Sequence, residues 1–154
     1  MTKVRLVAAF LVLLTAWGAW YSFERNVEWS ARIAWGEARG EPKGGMQAVI
    51  NVMANRRDDP RYPNSLAAVA RQRWQFTAFN ENDPNRPKLE AVEEDDPQYQ
   101  RAKRLATFAE LGILWDLTDG ATYYHSDIIN RPTYLDEAEV TTTIGRHIFY
   151  RDAD

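Results

Sequence analysis

An uncharged apolar run near the N-terminus, LVAAFLVLLTAWGAW at residues 6–20, follows Lys3 and Arg5. It is hydrophobic on every face, which excludes an ordinary amphipathic surface helix with one buried stripe. Basic residues ahead of such a run fit a signal peptide or a signal anchor, with the N-terminus on the cytoplasmic side. A spanning helix takes about 20 apolar residues. Tyr21, Ser22 and Phe23 extend the run before Glu24 and Arg25, and Trp17, Trp20 and Tyr21 suit a membrane–water interface. Ala16-Trp17-Gly18 is a tolerable small-x-small cleavage site, so removal and retention both stay open, beside the third reading of a buried core helix. The chain is therefore divided at residue 26, with residues 1–26 as signal anchor or signal peptide and residues 27–154 as one folded body.

That body is long enough for one ordinary domain and too short for two. Zero cysteines exclude a disulfide framework and a thiolate metal site. Residues 1–26 carry Lys3, Arg5 and Arg25 against Glu24, so the body is more acidic than the net charge of −3 on the whole chain. An acidic body argues against nucleic acid as a partner, because phosphate binding needs a basic face. The arginines between Arg56 and Arg73 are interrupted by Asp58 and Asp59 and read as a solvated surface.

Periodicity predicts a helix over residues 28–39, with Trp29, Ile33, Gly36, Glu37 and Gly40 on one face, broken by Gly40 and Pro42. A second helix is predicted over 44–57. Its apolar row is Met46, Val49, Ile50 and Met53, and Gln47, Asn51 and Asn55 line another side. Ser65 caps a short helix over 66–71. Residues 74–90 read as irregular. Asp96-Pro97 opens a long helix to about residue 115, with the acidic run from Glu93 to Asp96 at its N-terminus. Asp119-Gly120 is a turn, and residues 121–125 and 141–150 are β-like.

Chemistry is signalled by Glu37, which lies on the apolar stripe of the first helix. Apolar surroundings raise a carboxyl's pKa, because desolvation disfavours the charge. A carboxylic acid kept protonated near neutrality is what glycosidic cleavage requires as proton donor. By periodicity alone an ordinary helix-end Glu that faces inward, or pairs with Arg32 or Arg39, is the better fit. A zinc amidase would need a third ligand beside His125 and His147, such as Asp127, and neither His has H-E-x-x-H spacing. The six Trp and seven Tyr serve a core or a sugar-stacking surface. A non-catalytic, membrane-anchored peptidoglycan-binding or envelope protein would keep those aromatics without needing Glu37.

Residues 34–56, AWGEARGEPKGGMQAVINVMANR, resemble the opening motif of the SleB/CwlJ family of cell-wall hydrolases, which includes spore cortex-lytic enzymes and phage relatives. Later stretches are similar to family elements in the same order: Tyr62-Pro63-Asn64-Ser65-Leu66, Gln75-Phe76-Thr77, Ala121-Thr122-Tyr123-Tyr124-His125, and the segment from Ile144 to Tyr150. The segment from Ile128 to Asp136, with Arg131-Pro132-Thr133-Tyr134, departs from the pattern. The resemblance implies an α+β, mostly helical lysozyme-like domain with a small β-hairpin or sheet and a sugar groove, preceded here by a transmembrane helix. It implies cleavage of peptidoglycan glycan strands, of lytic transglycosylase or muramidase type, and assigns 27–154 as the catalytic domain. Glu37 falls at the catalytic-acid position and Glu41 at the motif's second Glu. Gln75, Phe76, Thr77, Tyr124 and His125 fall at positions expected near the groove. The expected partners are glycan strands and, through residues 4–23, the bacterial inner membrane, with no nucleic acid, no metal and no cofactor, for a monomer. The catalytic domain is expected outside the cytoplasm, in the periplasm or cell-wall space. The small residues in the apolar run resemble signal-anchor-release segments of phage endolysins, which leave the bilayer uncleaved.

Overall fold

The computed structural model describes residues 2–42, 44–72, 76 and 83–153. The N-terminal run and the first predicted helix are one element, α1 (Thr2–Ala38). No proline interrupts the segment, and Gly18 and Gly36 are too small a cost to stop a helix with good formers around them. Its surroundings change at Asn26. From Arg5 to Arg25 every side chain is exposed except half-buried Phe23, whereas Asn26, Val27, Ser30, Ala31, Ile33, Ala34, Trp35 and Ala38 are buried. By length and composition the segment Arg5–Ala38 can cross a membrane, and its apolar window has no share buried in the protein.

The remaining helices pack around the second half of α1. They are α2 (Gly45–Asp58), α3 (Leu66–Ala70), α4 (Arg86–Glu90) and α5 (Pro97–Glu110). The apolar row of α2, Met46, Val49, Ile50 and Met53, is fully in the core as the spacing predicts. Ser65 caps α3 by accepting from Ala68 N at 3.3 Å. Asp96 caps α5, its Oδ1 accepting from Gln98 N and Tyr99 N and also from Trp35 Nε1 at 3.1 Å. The α1–α5 pair is antiparallel, since Asn26 at the far end donates to Glu110 Oε1 at 2.7 Å.

Two expectations are corrected. Residues 86–90, read as irregular, form α4 with Pro87 in the first turn, where its missing N–H costs nothing. Helix α5 stops at Glu110 rather than near residue 115. Leu111 N returns to Thr107 O, and Gly112 takes φ +70°, a left-handed terminator that sequence periodicity does not reveal.

After α5 the chain runs back along α2. The polar row on that helix fastens it: Gln47 and Asn51 donate to Trp115 O, Asn51 Oδ1 accepts from Leu117 N, and Asn55 donates to Ala121 O at 3.0 Å. A three-stranded antiparallel sheet follows, in the order β1 (Tyr123–Ser126), β3 (His147–Arg151), β2 (Glu139–Ile144). It packs on α2 through Ala48, Val52, Ala121 and Phe149.

Asn26 joins three helices at once, because its Oδ1 also accepts from Ala67 N of α3 at 3.0 Å. Replacing it with Ala leaves a buried N–H without its acceptor and removes the donor to Glu110. The Asn26→Ala variant should therefore lose about 2 kcal/mol of stability, read by thermal unfolding of the detergent-solubilised chain. An unchanged transition would mean that water substitutes fully at this junction.

Candidate active site

Glu37 is the penultimate residue of α1, where the helix emerges from the core, and it is half-buried. The phenol of Tyr124, on β1, is hydrogen-bonded to it. Burial pushes the Tyr124 phenol well above its ordinary value, the negative charge of Glu37 adds to this, and Arg56 opposes it. Tyr124 is thus a neutral donor at any physiological pH. An ionised carboxylate only accepts, so the proton in this bond lies on the tyrosine when Glu37 is charged.

The Tyr124 ring is held by three neighbours. Phe149 lies 5.6 Å away and His147 meets it edge-on at 5.1 Å, both from the same face of β3, and Phe76 lies 6.4 Å away. Phe76 is only 1% exposed. It contacts the site from below, as a core residue supporting Tyr124, and offers no face to a sugar. Gln75 and Thr77 lie outside the described residues.

His125 follows Tyr124 in a strand, so the two side chains leave opposite faces of the sheet. The register agrees: Tyr124 pairs with Phe149, while His125 pairs with Ile148 and stacks on Tyr150 at 5.4 Å. The structure does not bring His125 together with Glu37 and Tyr124. His147 takes the position beside Tyr124 instead, and no spacing in the sequence distinguishes the two histidines. Burial, first of all, lowers the pKa of both imidazoles, so each is neutral near pH 7. On opposite faces of the sheet they do not converge on one metal, and among the described residues no group of three His, Asp or Glu could hold one.

Glu41 is engaged elsewhere. Its Oε2 accepts from Arg146 N at 2.9 Å, tying the turn after α1 to the β2–β3 turn. Two functional candidates escaped the sequence reading. Arg56, at the end of α2, is buried; its Nε donates to Thr122 O at 2.6 Å. Its guanidinium stacks over Tyr62, Phe76 and Tyr123 at 5.3, 5.5 and 5.7 Å. Desolvation lowers its pKa while the surrounding tyrosines oppose that. Arg56 therefore places a fixed positive charge behind Tyr124. Tyr134, in the segment that departs from the family pattern, is 72% exposed and within electrostatic reach of both Tyr124 and Arg56. Its exposed ring is available for stacking. Two clefts, one lined by Asp58, Asp59, Arg61 and Asp152 and one by Trp35, Lys88, Glu93 and Asp96, include none of these residues.

The arrangement is one carboxyl group at a helix end, a neutral donor on it, and a buried cation one layer back. That suits proton donation followed by proton recovery. The Cell Wall Hydrolase family matches residues 40–150, a stretch that begins just after Glu37. The spore cortex-lytic enzyme of Bacillus subtilis (strain 168) is 32% identical over 77% of the chain, and that of Halalkalibacterium halodurans is 30% identical over 82%. The chain spans only 35% and 34% of the length of these two relatives. The crystal structure of the catalytic domain of the Bacillus cereus SleB protein superposes with a TM-score of 0.67 at 26% identity, over 83% of this chain and 91% of that one. The catalytic domain of a germination-specific lytic transglycosylase, SleB from Bacillus anthracis, gives 0.65 at 27% identity, over 82% and 94%. The fold is that of a SleB catalytic domain, and the chain belongs to the Cell Wall Hydrolase family.

Proposed function

We propose that this protein is a lytic transglycosylase that cleaves the glycan strand of peptidoglycan, with Glu37 as the single acid and base. The observation that carries the reading is a carboxyl group at the half-buried end of a buried helix with the neutral phenol of Tyr124 beside it. Glu37 protonates the glycosidic oxygen as the bond to C1 of the muramic residue breaks. The 6-hydroxyl of the same sugar then attacks C1, and Glu37 takes its proton. One anhydro sugar and one free chain end result, with no water consumed. A scheme with two carboxylates would need a second acid facing the first. Glu41, the motif's other carboxylate, is held by the backbone of Arg146. The name of the Bacillus anthracis neighbour supports the same choice.

The apolar half of α1 supports a bilayer location. Residues 4–23 cross the inner membrane, and the catalytic domain, residues 27–154, stands outside the cytoplasm. The unbroken helix supports retention rather than cleavage. Ala8, Ala9, Thr15, Ala16, Gly18 and Ala19 lower the cost of extraction relative to an all-leucine span, which fits release of an endolysin.

Three outcomes are expected. Glu37→Gln should reduce release of soluble fragments from purified peptidoglycan by about 100-fold or more, while the variant still sediments with the polymer; the wild-type fragments should be lighter by one water than hydrolytic products in mass spectrometry. Equal lysis by both proteins would remove Glu37 from the mechanism. Activity should fall as pH rises through the Glu37 pKa. Tyr124→Phe keeps the ring but removes a donor that favours the charged carboxylate, so the alkaline limb should move to higher pH. An unmoved limb would separate Tyr124 from the titration of Glu37. In cell fractionation, full-length protein should sit in the membrane and move to the periplasm on depolarisation; a shortened periplasmic form would show cleavage instead.

A further inference from the structure

Helix α5 is antiparallel to α1 and ends level with Asn26, to whose side chain Glu110 is bonded. Arg57 closes the same end, donating to Ala109 O at 3.0 Å. Asn26 lies three residues beyond Phe23, about 4.5 Å by helix rise. The chain leaving α5 therefore turns at the level where the apolar half of α1 begins. Its apolar side chains at that point are not covered. Phe108 is 46%, Leu111 56% and Ile113 67% exposed, while the next residue, Leu114, packs against the core. Exposed Arg104 lies on the same helical face, at i−4 from Phe108 and i−7 from Leu111. On α1, at this end, stand the aromatic pairs Trp17–Tyr21 and Trp20–Phe23, followed by Arg25 over the Tyr21 ring at 5.7 Å.

Aromatic rings, aliphatic side chains and arginine at one level are the composition of a membrane–water interface. We propose that Phe108, Leu111 and Ile113 form a second membrane contact, inserting into the interfacial layer of the bilayer beside the point where α1 leaves it. This rests on the reading of residues 4–23 as a span. The occupant is lipid because the patch lies at the level where the apolar half of α1 begins, fixed there by the Asn26–Glu110 bond, and α1 is unbroken from span to core. A domain tethered by one helix could tilt about it; a second contact fixes that tilt. Glu37 lies 14 residues beyond Phe23, so the site is then held about 21 Å above the bilayer surface, given 1.5 Å per residue.

The cysteine-free sequence makes the test direct. Full-length Leu111→Cys and Ile113→Cys, each carrying an environment-sensitive dye, are reconstituted in phosphatidylethanolamine–phosphatidylglycerol vesicles with and without spin-labelled lipid. Asp127→Cys, exposed at the Glu41 end of the domain, serves as the distal control. The proposal expects vesicles to float with the protein, blue-shifted emission and lipid quenching at 111 and 113, and neither effect at 127. Flotation with all three dyes in water would overturn the contact and leave the span intact. Failure to float would overturn the span and the contact together.

Discussion

The second half of α1 is the constraint from which the rest of the structure follows. Over residues 26–38 it is buried on nearly every face, with α5, α3, α2 and α4 each packed against it. Ala31, Ala34 and Ala38 allow that close approach. Gly36 allows more: a Cβ there would sit 2.5 Å from Leu89 Cδ2, so α4 lies directly on the helix backbone. A helix packed against four others along this stretch cannot rotate to bring another side chain to its end. Glu37 is fixed in direction by the packing of the turns before it, as the proposed general acid requires.

Polar groups on α2 do the complementary work on the other side of the site. Gln47, Asn51 and Asn55 satisfy backbone groups of the chain between Trp115 and Ala121, which would otherwise cross the helix with unpaired carbonyls and N–H groups. Arg56 then holds Thr122 O, and Tyr123 and Tyr124 follow directly. The strand that carries the Glu37 partner is thus positioned by a ladder of side-chain amides ending in a caged guanidinium. Aromatic faces of Tyr62, Phe76 and Tyr123 stabilise that cation.

What could be read in advance follows from the range of each interaction. Local signals were legible: the 3.6-residue rows of α2, the caps at Ser65 and Asp96, and the lysozyme-like mixture of helices with a small sheet. The ends of α1 and α5 were not, because continuity at Asn26 depends on partners in α3 and α5, and the stop at Gly112 depends on a backbone angle. Glu37 stood out because a carboxylate on an apolar stripe is anomalous. Tyr124 came from motif position. His125 was grouped with it by adjacency, although a strand sends neighbours to opposite faces. Arg56 and His147 act through contacts with residues distant in sequence, and nothing near them marks those contacts.

Glu41 and Gly145 complete the geometry. Arg146 N reaches the Glu41 carboxylate across 105 residues of chain, and it does so from a turn in which Gly145 has φ +60°. A Cβ at 145 would collide with Glu41 Oε2 and with Pro42, so this turn and this carboxylate fit only with glycine between them. The bond ties the end of α1 to the sheet at a second point, close to the Glu37–Tyr124 bond. Two connections between the same two elements remove the hinge that one would leave. Moving Glu41 toward a substrate would give up that connection and leave the Arg146 N–H without its acceptor. The two carboxylates of the motif are therefore held differently, Glu37 on the last turn of α1 and Glu41 by the backbone of Arg146.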